Sequence, residues 1–236
     1  MSPTWLRAMA LLYDPFLWLG EAAGMRRRRR AVLATASGRV LEIGAGTGLN
    51  LPHYPSGLGE LILAEPEPGM RTQLARRLDR LGCVAQIIDA PAERLPLADA
   101  SVDTVVATLV LCTVADPEGA LREIARVLRP GGRLLFIEHI RARSRWLARC
   151  QDLLLRPWRS FAGGCVCNRS TVETMLGFGF ATDIEHAAWH GMPPIVRPLV
   201  IGAATLRQTS PGRRCSSDAP ATPTCRALPG GPNRPG

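Results

Sequence analysis

VLEIGAGTGLNL, residues Val40 to Leu51, joins a short apolar run to an acid, Glu42, and then to three glycines at alternate positions, Gly44, Gly46 and Gly48. The apolar part reads as a buried strand. Glycines placed directly after it allow positive φ and remove the Cβ atoms that would hold a ligand away from the backbone. The spacing narrows the ligand. A dinucleotide loop reads GxGxxG and would need glycine where this chain has Leu49, so a pyrophosphate is disfavoured.

Outward from that loop, short β-branched runs alternate with helical patterns. Arg39 to Ile43, Leu61 to Ala64, Val84 to Ile88, Val102 to Thr108 and Arg133 to His139 read as five buried strands. Between them, Met70, Leu74, Leu78 and Leu81 repeat at helical spacing up to Gly82, and a second helix is expected from Asp116 and Pro117 to just before Pro130. This alternation predicts a doubly wound α/β fold, with right-handed crossovers, a mostly parallel sheet and helices on both faces. Two later runs, around FATDIEHAAW and IVRPLVIGAATL, are expected to close one edge and bring the sheet to seven strands.

In such a sheet a ligand binds beyond the C-terminal ends of the strands, where the strand order reverses. Glu65 ends the second strand, and its carboxylate can accept from both hydroxyls of a ribose. Pro66 follows it. The third strand leads into Asp89, Ala92 and Glu93, which are placed to meet a base edge, and the fourth ends at Thr108 and Leu109, beside the expected reacting centre.

These residues resemble the class I S-adenosylmethionine (SAM) dependent methyltransferases. VLEIGAGTG is similar to that family's glycine motif, LILAEPEPGM to its acidic second strand, AERLPLADASVDTVVAT to its adenine loop and fourth strand, and LREIARVLRPGGRLLFIEH to its approach to strand five. The likeness covers about Ala31 to His139 and departs at Pro91, where the family commonly has an acid. It implies a Rossmann-like sheet with an antiparallel edge strand, SAM as cofactor and S-adenosylhomocysteine (SAH) as product. Its cofactor face would be Glu42, Gly44, Gly46, Gly48, Glu65, Pro66, Asp89, Ala92, Glu93, Thr108 and Leu109. YDPFLWLGE, GLNLPHYP, TLVLCTV, FIEHI, GGCVCNR and RPLVIGAA further resemble a methyltransferase-like group that includes microsomal alkyl-thiol methyltransferases and bacterial relatives. The activity so implied is methylation of a small apolar acceptor, a thiol in the first reading. Methylation of a membrane lipid or quinone precursor, or cofactor binding at a membrane surface without turnover, are the alternatives.

A sulfonium is already a strong methyl donor, so such an enzyme mainly positions its acceptor and excludes water, with no metal required. If a thiol must ionise, His139 and Asp14 are the candidate bases. Cys112, Cys165 and Cys167 read as packing residues.

The chain has 236 residues and a net charge of +9. Arg26 to Arg30 supply five of those charges and the segment from Arg207 onward four more, so the rest is neutral and nucleic acid is not an expected partner. Seven cysteines without a CxxC pair indicate neither a disulfide framework nor a zinc ribbon and fit a reducing cytoplasm. The N-terminal apolar stretch, broken by Asp14 and Pro15, is too short to span a membrane. It reads first as a helical cap over residues 1–36, roofing the acceptor, and this is compatible with a peripheral membrane contact through its apolar face and the Arg run. Residues 37–206 form the expected catalytic domain, and residues 207–236, rich in Pro, Gly and Ser, an expected disordered tail. No obligate protein partner is indicated.

Overall fold

The structure is a computed structural model that describes residues 3–206, with side chains from Leu12 onward; the expected tail and the side chains of Trp5 and Met9 lie outside it. Strands β1 (Arg39–Ile43), β2 (Glu60–Ala64), β3 (Gln86–Ile88), β4 (Val102–Thr108), β5 (Leu128–His139), β6 (Phe180–Ala188) and β7 (Pro198–Leu206) form one sheet in the order β3-β2-β1-β4-β5-β7-β6. The order reverses between β1 and β4. From β3 to β5 all neighbours are parallel, and β7 runs antiparallel between β5 and the outermost strand β6.

Alternation along the strands sends side chains to two covers. Leu41, Ile43, Val105 and Phe136 pack with Leu121 and Ile124 of helix α4 (Pro117–Val127) and Met175 of α6 (Thr171–Gly177). Val40, Val106 and Leu135 meet Leu33 of α2 (Arg26–Leu33), and Leu63 meets Leu74 and Leu78 of α3 (Pro68–Leu81). Helix α3 ends where Gly82 takes a left-handed conformation, and α4 starts where the Asp116 carboxylate accepts from the Gly119 N–H at 2.9 Å.

Two expectations, the extent of β3 and the break at Asp14 and Pro15, change in detail. β3 is shorter than Val84 to Ile88, because the C-terminal turn of α3 still holds Cys83 through its N–H to Leu78 O, and Val84 stands 95% exposed. No helix joins β3 to β4. Residues 89–101 form a loop there, pinned by Arg126 to the Leu95 and Leu97 carbonyls at 3.0 and 2.7 Å. Asp14 and Pro15 also fail to interrupt α1, which runs from Pro3 to Gly20. The chain turns instead at Gly24, whose φ of +129° lies inside a π-helical turn, Glu21–Met25, before α2. Among the described residues no helix is long and apolar enough to cross a membrane.

Candidate functional site

The topology leaves a crevice beyond the strand ends at the β1/β4 reversal. A cavity of about 800 Å³ fills it. Its floor is the glycine loop, Glu65, the turn after β4 and His139. Leu12, Tyr13, Phe16 and Leu17 of α1 roof it, and Trp158 and Phe161 of α5 (Arg145–Phe161) wall its far side. Phe16 and Phe161 meet edge to face at 5.6 Å, so α1 and α5 close over the cavity together.

The three glycines have different surroundings. A Cβ at Gly44 would strike Val110 at 2.6 Å, and one at Gly48 would strike Leu74 and Leu51, so close packing requires both. Gly46 lines the cavity with φ +57°, and a Cβ there would find only Gly44 O at 3.9 Å, so it would project into open space. Glu65 accepts from the Gly46 N–H at 2.8 Å and the Glu67 N–H at 2.9 Å, clasping the loop to the end of β2. Burial raises its pKa.

Gly44, Gly46, Glu65, Pro66, Ala92, Glu93, Leu109 and His139 all line the cavity. Glu93 also holds the α4 approach by accepting from Ala115 N–H at 3.1 Å and Asp116 N–H at 3.3 Å. Leu109 has a φ of +61°, unusual for a residue with a Cβ, and its N–H is held by Ile137 O at 2.7 Å.

The other expected residues are not among those lining the cavity. Asp89 forms a two-pronged ion pair with Arg71, at 2.8 and 2.9 Å, on the surface. Asp14 accepts from Thr47 Oγ1 at 2.6 Å and pairs with Arg77, which ties α1 to the glycine loop and α3. Thr108 and Glu42 share Asn50, whose Nδ2 lies 2.7 Å from Thr108 Oγ1 and 2.8 Å from Glu42 Oε1. Arg29 donates to Asn50 Oδ1 at 2.9 Å and to Glu21, so this buried network locks α2 behind β1.

Burial raises the Glu42 pKa to about 7, against the Tyr54 and Asn50 donors that lower it. The folded chain then keeps a proton that the unfolded chain loses above the ordinary carboxyl pKa. Stability should therefore fall as pH rises from about 4.5 to about 7, by no more than about 3 kcal/mol from this group. Glu42→Gln should flatten that part of the melting-temperature profile. An equal slope in the variant would mean that Glu42 is already ionised at the acid end.

Sequence reading did not single out Glu138 as a site residue. It is fully buried, and its carboxylate accepts from the N–H groups of Val110 and Leu111 at 2.9 Å each and of Cys112 at 3.0 Å. One acid thus shapes the whole turn after β4. Beside it, His139 stacks on Trp189 with ring centroids 5.6 Å apart. Burial lowers its pKa to about 4, so the imidazole is neutral at neutral pH. Cys112, His139 and Cys165 bring their ligand atoms within 4.8 Å of one another, whereas Cys167 is not part of that group. The local signal for Cys165 was only its pairing with Cys167 in CVC.

A family model described as a methyltransferase domain matches residues 41–136. Human thiol S-methyltransferase TMT1B is 39% identical over 176 residues, covering 72% of this chain and 70% of that protein. Human thiol S-methyltransferase TMT1A is 35% identical over 170 residues, covering 70% and 69%. Among solved structures, a SAM-dependent methyltransferase of Thermotoga maritima superposes with a TM-score of 0.64 at 22% identity, covering 86% of this chain and 99% of that one.

Proposed function

The chain belongs to the class I SAM-dependent methyltransferases, and from that premise we propose that it methylates the sulfur of a small apolar thiol held under α1. The observation that carries this is a mostly apolar cavity under α1 whose lining includes both the glycine loop and His139. The similarity to two thiol S-methyltransferases supports the acceptor.

The residues fit the cofactor. The open space at Gly46 and the carboxylate of Glu65 at the same end supply a cradle and a ribose acceptor, and Pro91 and Ala92 supply an apolar wall for adenine. Gly44 and Gly46 would hold the amino-acid part, Glu65 the ribose hydroxyls, and Pro66, Ala92 and Glu93 the base. Glu42, Gly48, Asp89 and Thr108 would act from behind as supports of that face. Bound there, the cofactor supplies an electrophilic methyl group on a sulfonium.

The rest is done by this chain. Leu109 and Val110 line the cavity on the turn after β4, α1 and α5 cover it against water, and His139 lines the part taken by the acceptor sulfur. A neutral imidazole with so low a pKa is a weak base, so its role is to position the sulfur more than to hold a proton. Asp14 acts through α1 and is a positioning residue.

Glu65→Gln should lower SAH affinity about tenfold, because one of two ionic hydrogen bonds to the ribose is lost while an oxygen remains for the loop. Calorimetry would check it. Equal affinity with a large fall in melting temperature would restrict Glu65 to the loop. To test the acceptor, the SAH-loaded chain is titrated with an alkyl thiol, a quinol and phosphatidylethanolamine vesicles. Saturable thiol binding is expected, and binding of only the quinol or lipid would overturn the thiol reading.

A membrane surface enters through a separate observation. Trp18 and Leu19 on α1 and Trp146 and Leu153 on α5 are exposed, the last two at 73% and 80%, on the helices that cover the cavity. These exposed apolar side chains, together with the exposed Arg26, Arg27 and Arg30, support a peripheral contact through which an apolar acceptor can enter. Five described cysteines are free, which supports the cytoplasmic side.

A further inference from the structure

Cys112, His139 and Cys165 come from three separate elements: the turn after β4, the end of β5 and the loop after α5. Each is held before any ligand arrives. The Cys112 N–H is fixed by Glu138, its carbonyl accepts from the Val166 N–H at 2.7 Å next to Cys165, and His139 is in register with Leu199 of β7. All three side chains are buried and their ligand atoms lie within 4.8 Å of one another. His139 Nδ1 is also buried with no hydrogen-bond partner, and the imidazole shares the site with two thiols.

We propose that Cys112, His139 and Cys165 bind a zinc ion whose fourth position opens into the cavity and takes the acceptor's sulfur. Zinc bonds of about 2.3 Å to sulfur and about 2.0 Å to nitrogen place tetrahedral ligand atoms roughly 3.5 to 3.8 Å apart, so from at most 4.8 Å the three groups need to close by about 1.3 Å at most. Two thiolates balance the charge of the ion, so the site is neutral in its apolar surroundings, and the two thiol protons leave to solvent on binding. Three protein ligands with one open position is the arrangement of a zinc site that does chemistry.

The role of the fourth position rests on the thiol reading above. There the acceptor's S–H bond breaks, its proton goes to solvent and a zinc–sulfur bond forms. The lone pair of that sulfur then makes a new S–C bond as the sulfonium's S–CH3 bond breaks, with the bonding pair returning to the sulfonium sulfur. The methyl thioether is a weaker ligand and leaves. Sequence spacing hid this site, because its ligands lie 27 and 26 residues apart and match no short metal motif.

The full chain, purified under reducing conditions without chelator, is assayed for metal by mass spectrometry. About one zinc per chain is expected, and Cys112→Ser and Cys165→Ser should each lower the zinc content about tenfold or more while SAH still binds by calorimetry. Cys83→Ser and the pair Cys215→Ser with Cys225→Ser should keep it. Replacing zinc with cobalt should give thiolate-to-metal charge-transfer absorption that shifts when an alkyl thiol is added. A chain that binds SAH but retains no zinc, or Cys112 and Cys165 variants with unchanged zinc, would overturn the site. Cobalt binding with no response to thiol would overturn the acceptor's place on the metal and leave the ion site standing, which separates this failure from failure of the thiol reading.

Discussion

Gly46→Val should abolish the calorimetric signal of SAH, whose expected affinity for the chain as it stands is micromolar, and should leave a cooperative melting transition. A branched side chain at a φ of +57° is strained in itself. Its larger effect is on the ligand. The Cβ direction at Gly46 leads into the cavity and not into protein, so the added methyl groups would take the volume proposed for the cofactor's amino-acid part. Gly46→Ala, with a single methyl, should fall between the two. Gly44→Val and Gly48→Val would fail differently, by striking Val110 and Leu74, and should lower the melting temperature first. Undiminished SAH binding by the valine variant at position 46 would remove the cofactor from the glycine loop.

The second large effect is expected from deleting residues 1–20, which should lower methyl transfer to a thiol by about a hundredfold or more in detergent-free solution and weaken SAH retention. Helix α1 roofs the cavity with Leu12, Tyr13, Phe16 and Leu17. It is fastened by Asp14 to Thr47 and Arg77, and at its end Gly20 lies so close to Trp189 that a Cβ would come within 2.4 Å of the indole. Without it, the glycine loop loses a hydrogen-bonded partner and the acceptor end opens to water. Initial rates with a soluble thiol, beside vesicle sedimentation, check this. A truncated chain that leaves vesicles but turns over normally in solution would make α1 an anchor and not a roof.

What could be read from the sequence follows from how local each signal is. β1 with its glycines, the capped start of α4 at Asp116 and the left-handed stop of α3 at Gly82 are written in consecutive residues. The two closing strands also stood out, because β7 is a nearly unbroken apolar run. The connections that assemble the acceptor end are not local. Glu138 reaches back 26 to 28 residues to the turn after β4, and Arg169 reaches 58 and 55 residues to the Leu111 and Val114 carbonyls. Gln151 donates to the Cys167 and Ile195 carbonyls, 16 and 44 residues away. None of these leaves a short pattern. Asp14 read as a candidate base, yet its carboxylate has partners on the glycine loop and α3 from within a continuous helix, and Asp89 suggested a base contact until Arg71 was found across from it.

The most direct test gives the full chain SAM with an isotopically labelled methyl group and an alkyl thiol, and follows both products by mass spectrometry. The label is expected on the thiol's sulfur, with SAH formed in equal amount. SAH without a labelled thioether, or label on a quinone ring or lipid amine with none on the thiol, would contradict it.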